Sequence, residues 1–426
     1  MTQDDTAVFI SPDQLQIGLF IQLDLHWMDH PFPFGSFKLK SDEQINTLKK
    51  LGLTQIRYIP DKSDCQPKET AIATPQTPTS EEIPELDPAI AAELAAKRQR
   101  QAEQERRKAQ LAECTKAFSL AANAVRKLTK EIHSNPRESI AAGEQLISTM
   151  LDSLLTDNDI AIHLMNEKSM GDDLYFHALN TTVLALLLAR EMKCDRAAIE
   201  TLGMAALMHD IGKVEVPDRI LLKTEALNRA EKSLLEQHCQ WGVEAGQRAQ
   251  LKPEILTLIK QHHEYCDGSG YPKQLKLEQI DPLARILVVA NTYDNYCNKV
   301  NPADSLTPHE GLALMFSHQK AKFDPAPMNI LIRSLGVYPP GTLVQLSNEH
   351  YGLVVAVNSS RPLKPQVLVH DPAITRDEAM VLDLERHPDL NISKALKASQ
   401  LPRPVLSYLN PRKRMTYYFS PSEALI

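Results

Sequence analysis

Leu202-Gly-Met-Ala-Ala-Leu-Met-His-Asp-Ile-Gly-Lys213 runs an apolar helix into an imidazole and a carboxylate, and Ile211-Gly212 then breaks it. Adjacent helical residues point about 100° apart, yet His209 and Asp210 can face one cavity when the helix end points into it. A second stretch, Gln261-His-His-Glu-Tyr-Cys-Asp-Gly-Ser-Gly-Tyr-Pro272, ends another helix in His262 and His263 and opens a loop. There Gly268 and Gly270 let the backbone pass close to a ligand. His177 and His238 stand at or near further helix ends, and Asn291 adds an amide. Taken singly, each histidine reads as a core or surface residue. As a set, with Asp210 able to bridge two ions, they suit two-metal phosphodiester hydrolysis, which needs ions roughly 3.5 to 4 Å apart sharing a water or hydroxide.

The helical pattern around this set extends from Arg137 to about Gly336, with amphipathic runs near 141–155, 176–192, 196–210, 230–248, 253–263 and 282–297. Upstream, 88–164 reads as long connecting helices, either a dimerising coiled coil or a solvated spacer, because Gly and Pro are nearly absent and Ala, Glu, Gln, Arg and Lys dominate. Residues 61–87, rich in Pro, Thr and Ser, read as a flexible linker. Residues 1–60 alternate short apolar runs (Val8–Ile10, Gly18–Leu23, Gln55–Ile59) with turns around one helix that Ser41 can cap, the pattern of a small α+β domain. After Pro340-Gly341, Thr342–Leu346, Tyr351–Ala356 and Gln366–Val369 read as strands, so 346–426 is expected to be a small β-rich extension of the 165–345 domain. The fold class is therefore mainly α, with small β-containing regions at both ends.

Bulk properties narrow the function classes. Forty-seven Lys plus Arg against 54 Asp plus Glu give a net charge of -7, which offers no global attraction for nucleic acid. Local cations or metal ions can still draw a small anion. The longest strongly apolar stretch, Val183–Ala189, is too short to span a membrane, and the N-terminus lacks the basic and apolar regions of a secretory signal. Six cysteines without a CxxC pair fit a reducing compartment, so a cytoplasmic bacterial protein is expected.

HD followed three residues later by lysine, then HHE-x-x-D-G-x-G-Y-P about fifty residues on, resembles the HD-GYP family over roughly residues 165–345. The resemblance implies a helical HD-type metallohydrolase core with metal ligands at His177, His209, Asp210, His238, His262 and His263. It implies His209, Asp210 and Lys213 as the catalytic group, with Lys213 on a substrate phosphate and Gly270 and Tyr271 lining the pocket. The implied activity is hydrolysis of cyclic di-GMP to pGpG and onward to GMP by a hydroxide between two divalent metals, iron or manganese favoured. Residues 9–60 more weakly resemble an N-terminal domain often fused ahead of such modules.

The chain departs from the pattern at Asn291 and at Asn298-Lys299. Asn291 stands where the family has a metal-binding Asp, and offers a neutral oxygen in its place. Asp294 matches a second aspartate, expected near substrate. Asn298-Lys299 replaces a run whose Arg would contact phosphate. Asp173, one turn before His177, could help hold a third metal. These departures keep a second reading open: a weakly active or inactive module that binds nucleotide or a diguanylate cyclase partner and relays a signal, as a homodimer through the long helix.

Overall fold

The computed structural model describes residues 8–25, 30, 32, 36–68, 88–132, 134–156, 163–164, 173–299, 301–357, 361–372, 376, 379, 381–411 and 417–418. It divides into two compact units, Met1–Ala109 and Gln110–Ile426.

In the first unit, β1 (Val8–Ile10), β2 (Phe20–Gln22), β3 (Ser36–Lys38) and β4 (Ile56–Tyr58) form an antiparallel sheet in the order β1-β4-β2-β3, with α1 (Asp42–Lys50) between β3 and β4 in sequence. Alternation along β2 and β4 buries Ile21, Ile56 and Tyr58, which join Leu19, Leu39 and Leu48 in one core. Ser41 caps α1 by accepting the Gln44 N–H at 3.3 Å. Strand β3 was not expected from sequence: Ser36-Phe-Lys38 is short and carries only one apolar residue. His30 is buried beside Phe32, while Trp27 lies outside the described residues. Residues 61–68, read as the start of the linker, are tied back to this domain. Asp64 N–H donates to the Gly18 carbonyl at 2.9 Å and Lys68 N–H to that of Gln14 at 3.0 Å. Residues 69–87 lie outside the described residues.

The second unit begins within α2 (Pro88–Glu131) and continues through α3 (Pro136–Thr156), β5 (His163–Leu164), α4 (Asp173–Glu191), α5 (Arg196–Met208), α6 (Asp218–Leu221), α7 (Arg229–Glu236), α8 (His238–Arg248), α9 (Pro253–Gln261), α10 (Pro282–Cys297), α11 (Pro308–Ala313) and α12 (Pro325–Leu335). Helix α4 is apolar nearly all round and buried from Ala178 through Ala189, as a central helix must be. Helices α5 and α10 pack against it, and α9 packs against α5 and α10. The run read as a single amphipathic stretch over 230–248 is two helices. They meet at Gln237, and the ring of His238, the first residue of α8, lies 2.6 Å from the Leu235 carbonyl.

A five-stranded antiparallel sheet follows, β6 (Leu343–Leu346), β7 (Tyr351–Ala356), β8 (Gln366–Val369), β9 (Val381–Asp383) and β10 (Ile392–Leu396), ordered β10-β6-β7-β8-β9, with α13 (Arg403–Leu409) on one face. Its first strand starts before residue 346, the expected boundary. His309 of α11 donates to the Val337 carbonyl at 2.7 Å and stacks on Tyr338, and Lys397 pairs with Glu310 at 3.0 Å, so the sheet is fastened to the helices. The last element, β11 (Tyr417–Tyr418), returns to pair antiparallel with β5. Among the described residues, no helix is long and apolar enough to cross a membrane.

Candidate metal centre

Helices α5 and α9 end at His209 and His262, and α8 begins at His238. In each case the ring Nδ1 lies against the carbonyl three residues earlier: His209 on Ala206 at 2.7 Å, His238 on Leu235 at 2.6 Å, His262 on Ile259 at 2.6 Å. A carbonyl can only accept, so Nδ1 carries the proton and Nε2 presents a bare lone pair. These lone pairs converge. His238 Nε2 lies 3.1 Å from His262 Nε2, and His209 Nε2 lies 3.2 Å from His177 Nε2.

Asp210 stands between the two pairs. Its Oδ2 is 3.4 Å from His209 Nε2 and 3.6 Å from His177 Nε2; its Oδ1 is 3.4 Å from His238 Nε2 and 3.7 Å from His262 Nε2. Two sets of ligand atoms result, Asp210 with His238, His262 and His263, and Asp210 with His177 and His209, each set within 4.8 Å. The residues fit a pair of cations on two observations. Asp210 Oδ1 is buried without a hydrogen-bond partner, and paired imidazole lone pairs at 3.1–3.2 Å have no proton to share. That spacing suits two nitrogens reaching one ion at ~2.1 Å.

The electrostatics agree. Burial pushes His209 down to about 4 and His238 down to about 3 against the pull of Asp210, and holds His263 well below the usual imidazole range. Burial alone would raise Asp210, but His209 and Lys213 outweigh it and keep the carboxyl well below its ordinary value. At neutral pH these groups therefore have the protonation states that ligation requires.

The elements are held in place by main-chain contact. Gly212 sits against the His238 carbonyl and Gly242 nitrogen so closely that a Cβ would overlap both, which explains why a glycine stands two residues after Asp210. Gly270 is equally constrained by the backbone of His263, Glu264 and Tyr265, while Gly268 takes a φ of +81°. Tyr271 stacks on His263, ring centroids 4.5 Å apart. Glu264, buried, accepts the Lys273 and Leu275 N–H groups and so shapes the loop.

Not every sequence-expected residue lies on the ligand side. Lys213 does, with its Nζ 2.6 Å from Asp210 Oδ2. Asn291 is buried in α10; its Oδ1 accepts from Asn295 at 2.7 Å and its Nδ2 is 3.5 Å from the His262 carbonyl. Asp294, expected beside substrate, is instead fully buried behind His177. Its Oδ2 meets His177 Nδ1 at 2.6 Å, and its Oδ1 accepts from Asn180 at 2.9 Å and Asn298 at 2.8 Å. Asn180 was missed, although an amide inside the apolar run of α4 one turn after His177 was a signal. The side chain of Asp173 lies outside the described residues.

Comparison with known proteins is consistent with this geometry. The HD domain family matches residues 149–326, and a domain of unknown function, DUF3391, matches residues 8–142. A cyclic di-GMP phosphodiesterase of Pseudomonas aeruginosa is 28% identical over 361 residues, 84% of this chain and 83% of that protein. Residues 149–326 of this chain thus carry an HD domain. A cyclic di-GMP phosphodiesterase response regulator of Xanthomonas campestris is 31% identical over 152 residues, 35% of this chain but only 40% of its own length. A 3'3'-cGAMP-specific phosphodiesterase of Vibrio cholerae is 26% identical over 221 residues, 51% of this chain and 39% of that protein. The chain thus has phosphodiesterase relatives and a His/Asp cluster able to bind metal.

Proposed function

We propose that the centre hydrolyses cyclic di-GMP to pGpG and onward to GMP, with His177, His209, Asp210, His238, His262 and His263 holding two divalent cations, iron or manganese. The observation that carries this reading is the Asp210 carboxylate, which faces one histidine set with each oxygen. Cations held there supply an activated water and charge to offset the phosphoryl oxygens. Asp210 keeps the two halves in register. Lys213, its ammonium on Asp210 Oδ2 and its side chain 17% exposed, places a cation at the rim where an incoming phosphate arrives. Tyr271 and the Gly270 backbone close the opposite wall and orient the nucleotide. In the proposed division of the chain, residues 1–60 take the input, 88–164 relay it, and 165–345 perform the hydrolysis.

A second reading rests on Asn291 and Lys299: a module of low turnover that binds nucleotide or a diguanylate cyclase partner. The test is metal-reconstituted full chain with cyclic di-GMP, 3'3'-cGAMP and pGpG offered separately, products separated by chromatography and metal quantified in the same samples. Product formation that tracks metal content, fastest on cyclic di-GMP, is the expected result. Nucleotide binding without hydrolysis at full metal loading selects the second reading, and preference for 3'3'-cGAMP reassigns the substrate.

A further inference from the structure

The two halves of the centre differ in donors and in how those donors are held. Asp210, His238, His262 and His263 form a set of four, whereas His177 and His209 share only Asp210. Asn291, which stands where an anionic donor was expected, has its oxygen engaged by Asn295 and its nitrogen turned toward the His262 carbonyl. The weaker set also depends on a proton. His177 presents Nε2 as a donor only while Nδ1 keeps its hydrogen, and no helix carbonyl holds it there; Asp294 does, at 2.6 Å. Asp294 is itself locked by Asn180 and Asn298, both on its other oxygen.

We propose that the two halves load metal with unequal affinity, the His177 half being the weaker, and that Asp294 is the positioning residue that sustains that half by fixing the His177 tautomer. The inference rests on the two-metal reading of the site. An Asp294→Asn side chain that keeps its oxygen toward Asn180 and Asn298 must turn its NH2 to His177 Nδ1. The ring proton then moves to Nε2 and cancels the donor atom. A carboxylate behind a ligating histidine commonly changes metal affinity by ~10–100-fold when lost.

The experiment titrates chelator-stripped full chain with Mn(II) and follows free Mn(II) by electron paramagnetic resonance. Two classes of one site each, about 10-fold or more apart, are expected. Asp294→Asn should weaken the weaker class by about 10–100-fold and leave the stronger class unchanged, with the nitrogen-15 resonances of His177 reporting the tautomer change. Asn291→Asp should narrow the gap between classes, and Asn180→Ala should weaken the same class by a smaller factor. These two variants carry the test if Asp294→Asn does not fold. Two equal classes, equal weakening of both by Asp294→Asn, or an unchanged gap in Asn291→Asp overturns the proposal while leaving the two-metal reading intact. A chain that binds no Mn(II) overturns both.

Discussion

Four histidines of the centre present the same atom by two different means. His209, His238 and His262 are oriented by carbonyls three residues earlier in the chain, at the end of one helix for His209 and His262 and across the α7–α8 junction for His238. His177 is oriented by Asp294, 117 residues away, which in turn needs Asn180 and Asn298. The first device needs only residues three apart in the chain. The second forms only when α4 and α10 are docked in register, so one half of the site is as robust as secondary structure and the other as robust as tertiary packing.

The largest expected effect comes from deleting the piece common to both devices. Alanine at both His209 and Asp210 takes donors from each half, so metal per chain should fall to near zero and hydrolysis by at least about 10³-fold, with helical circular dichroism largely kept. Unchanged metal stoichiometry would break the comparison at its root. Next is Gly212→Ala, which forces a methyl against the His238 carbonyl and should cost about 1–3 kcal/mol of stability in thermal melts. It should also loosen metal on the His238 half before the His177 half. Equal loosening would show that the glycine contact does not set that half apart.

A smaller effect concerns pH. His209 sits at about 4 and His238 at about 3 in the fold against about 6.5 when unfolded, so between those values the unfolded chain binds more protons. Stability of the chelator-stripped chain is therefore full above about pH 6.5 and should decline as pH falls toward about 4. A melting temperature flat from pH 7 to pH 4.5 would contradict the neutral buried imidazoles on which the comparison depends. The smallest effect is the control. His350 and His387 are exposed and outside the helical domain, so alanine at either should alter stability by less than about 0.5 kcal/mol and leave metal content alone. Losses matching those at His209 would indicate general destabilisation.

The same division explains what could be read from sequence. The clustering of the histidines around Asp210 was legible because HD-x-x-K and HHE-x-x-D-G-x-G-Y-P place several of these side chains within a few residues, and helix ends are written in the same residues. The helical core followed from apolar runs such as that of α4. What escaped depends on distance along the chain: the place of Asp294 behind His177, the amide of Asn180, the return of Tyr417–Tyr418 to His163–Leu164. The break at Gln237 also escaped, since the apolar spacing runs on across it.

The contact between Gly212 and the α8 backbone fixes the reach from Asp210 to His238 through atoms that have no rotamers. That half behaves as a gauge of set width. In the proposed two-metal centre, ions of different radius would then be accommodated on the other side, where His177 hangs on side chains that can shift. Exchange of one metal for another would register there first, as a displacement felt by Asp294 and carried into the body of α10 while the α5–α8 joint stays still.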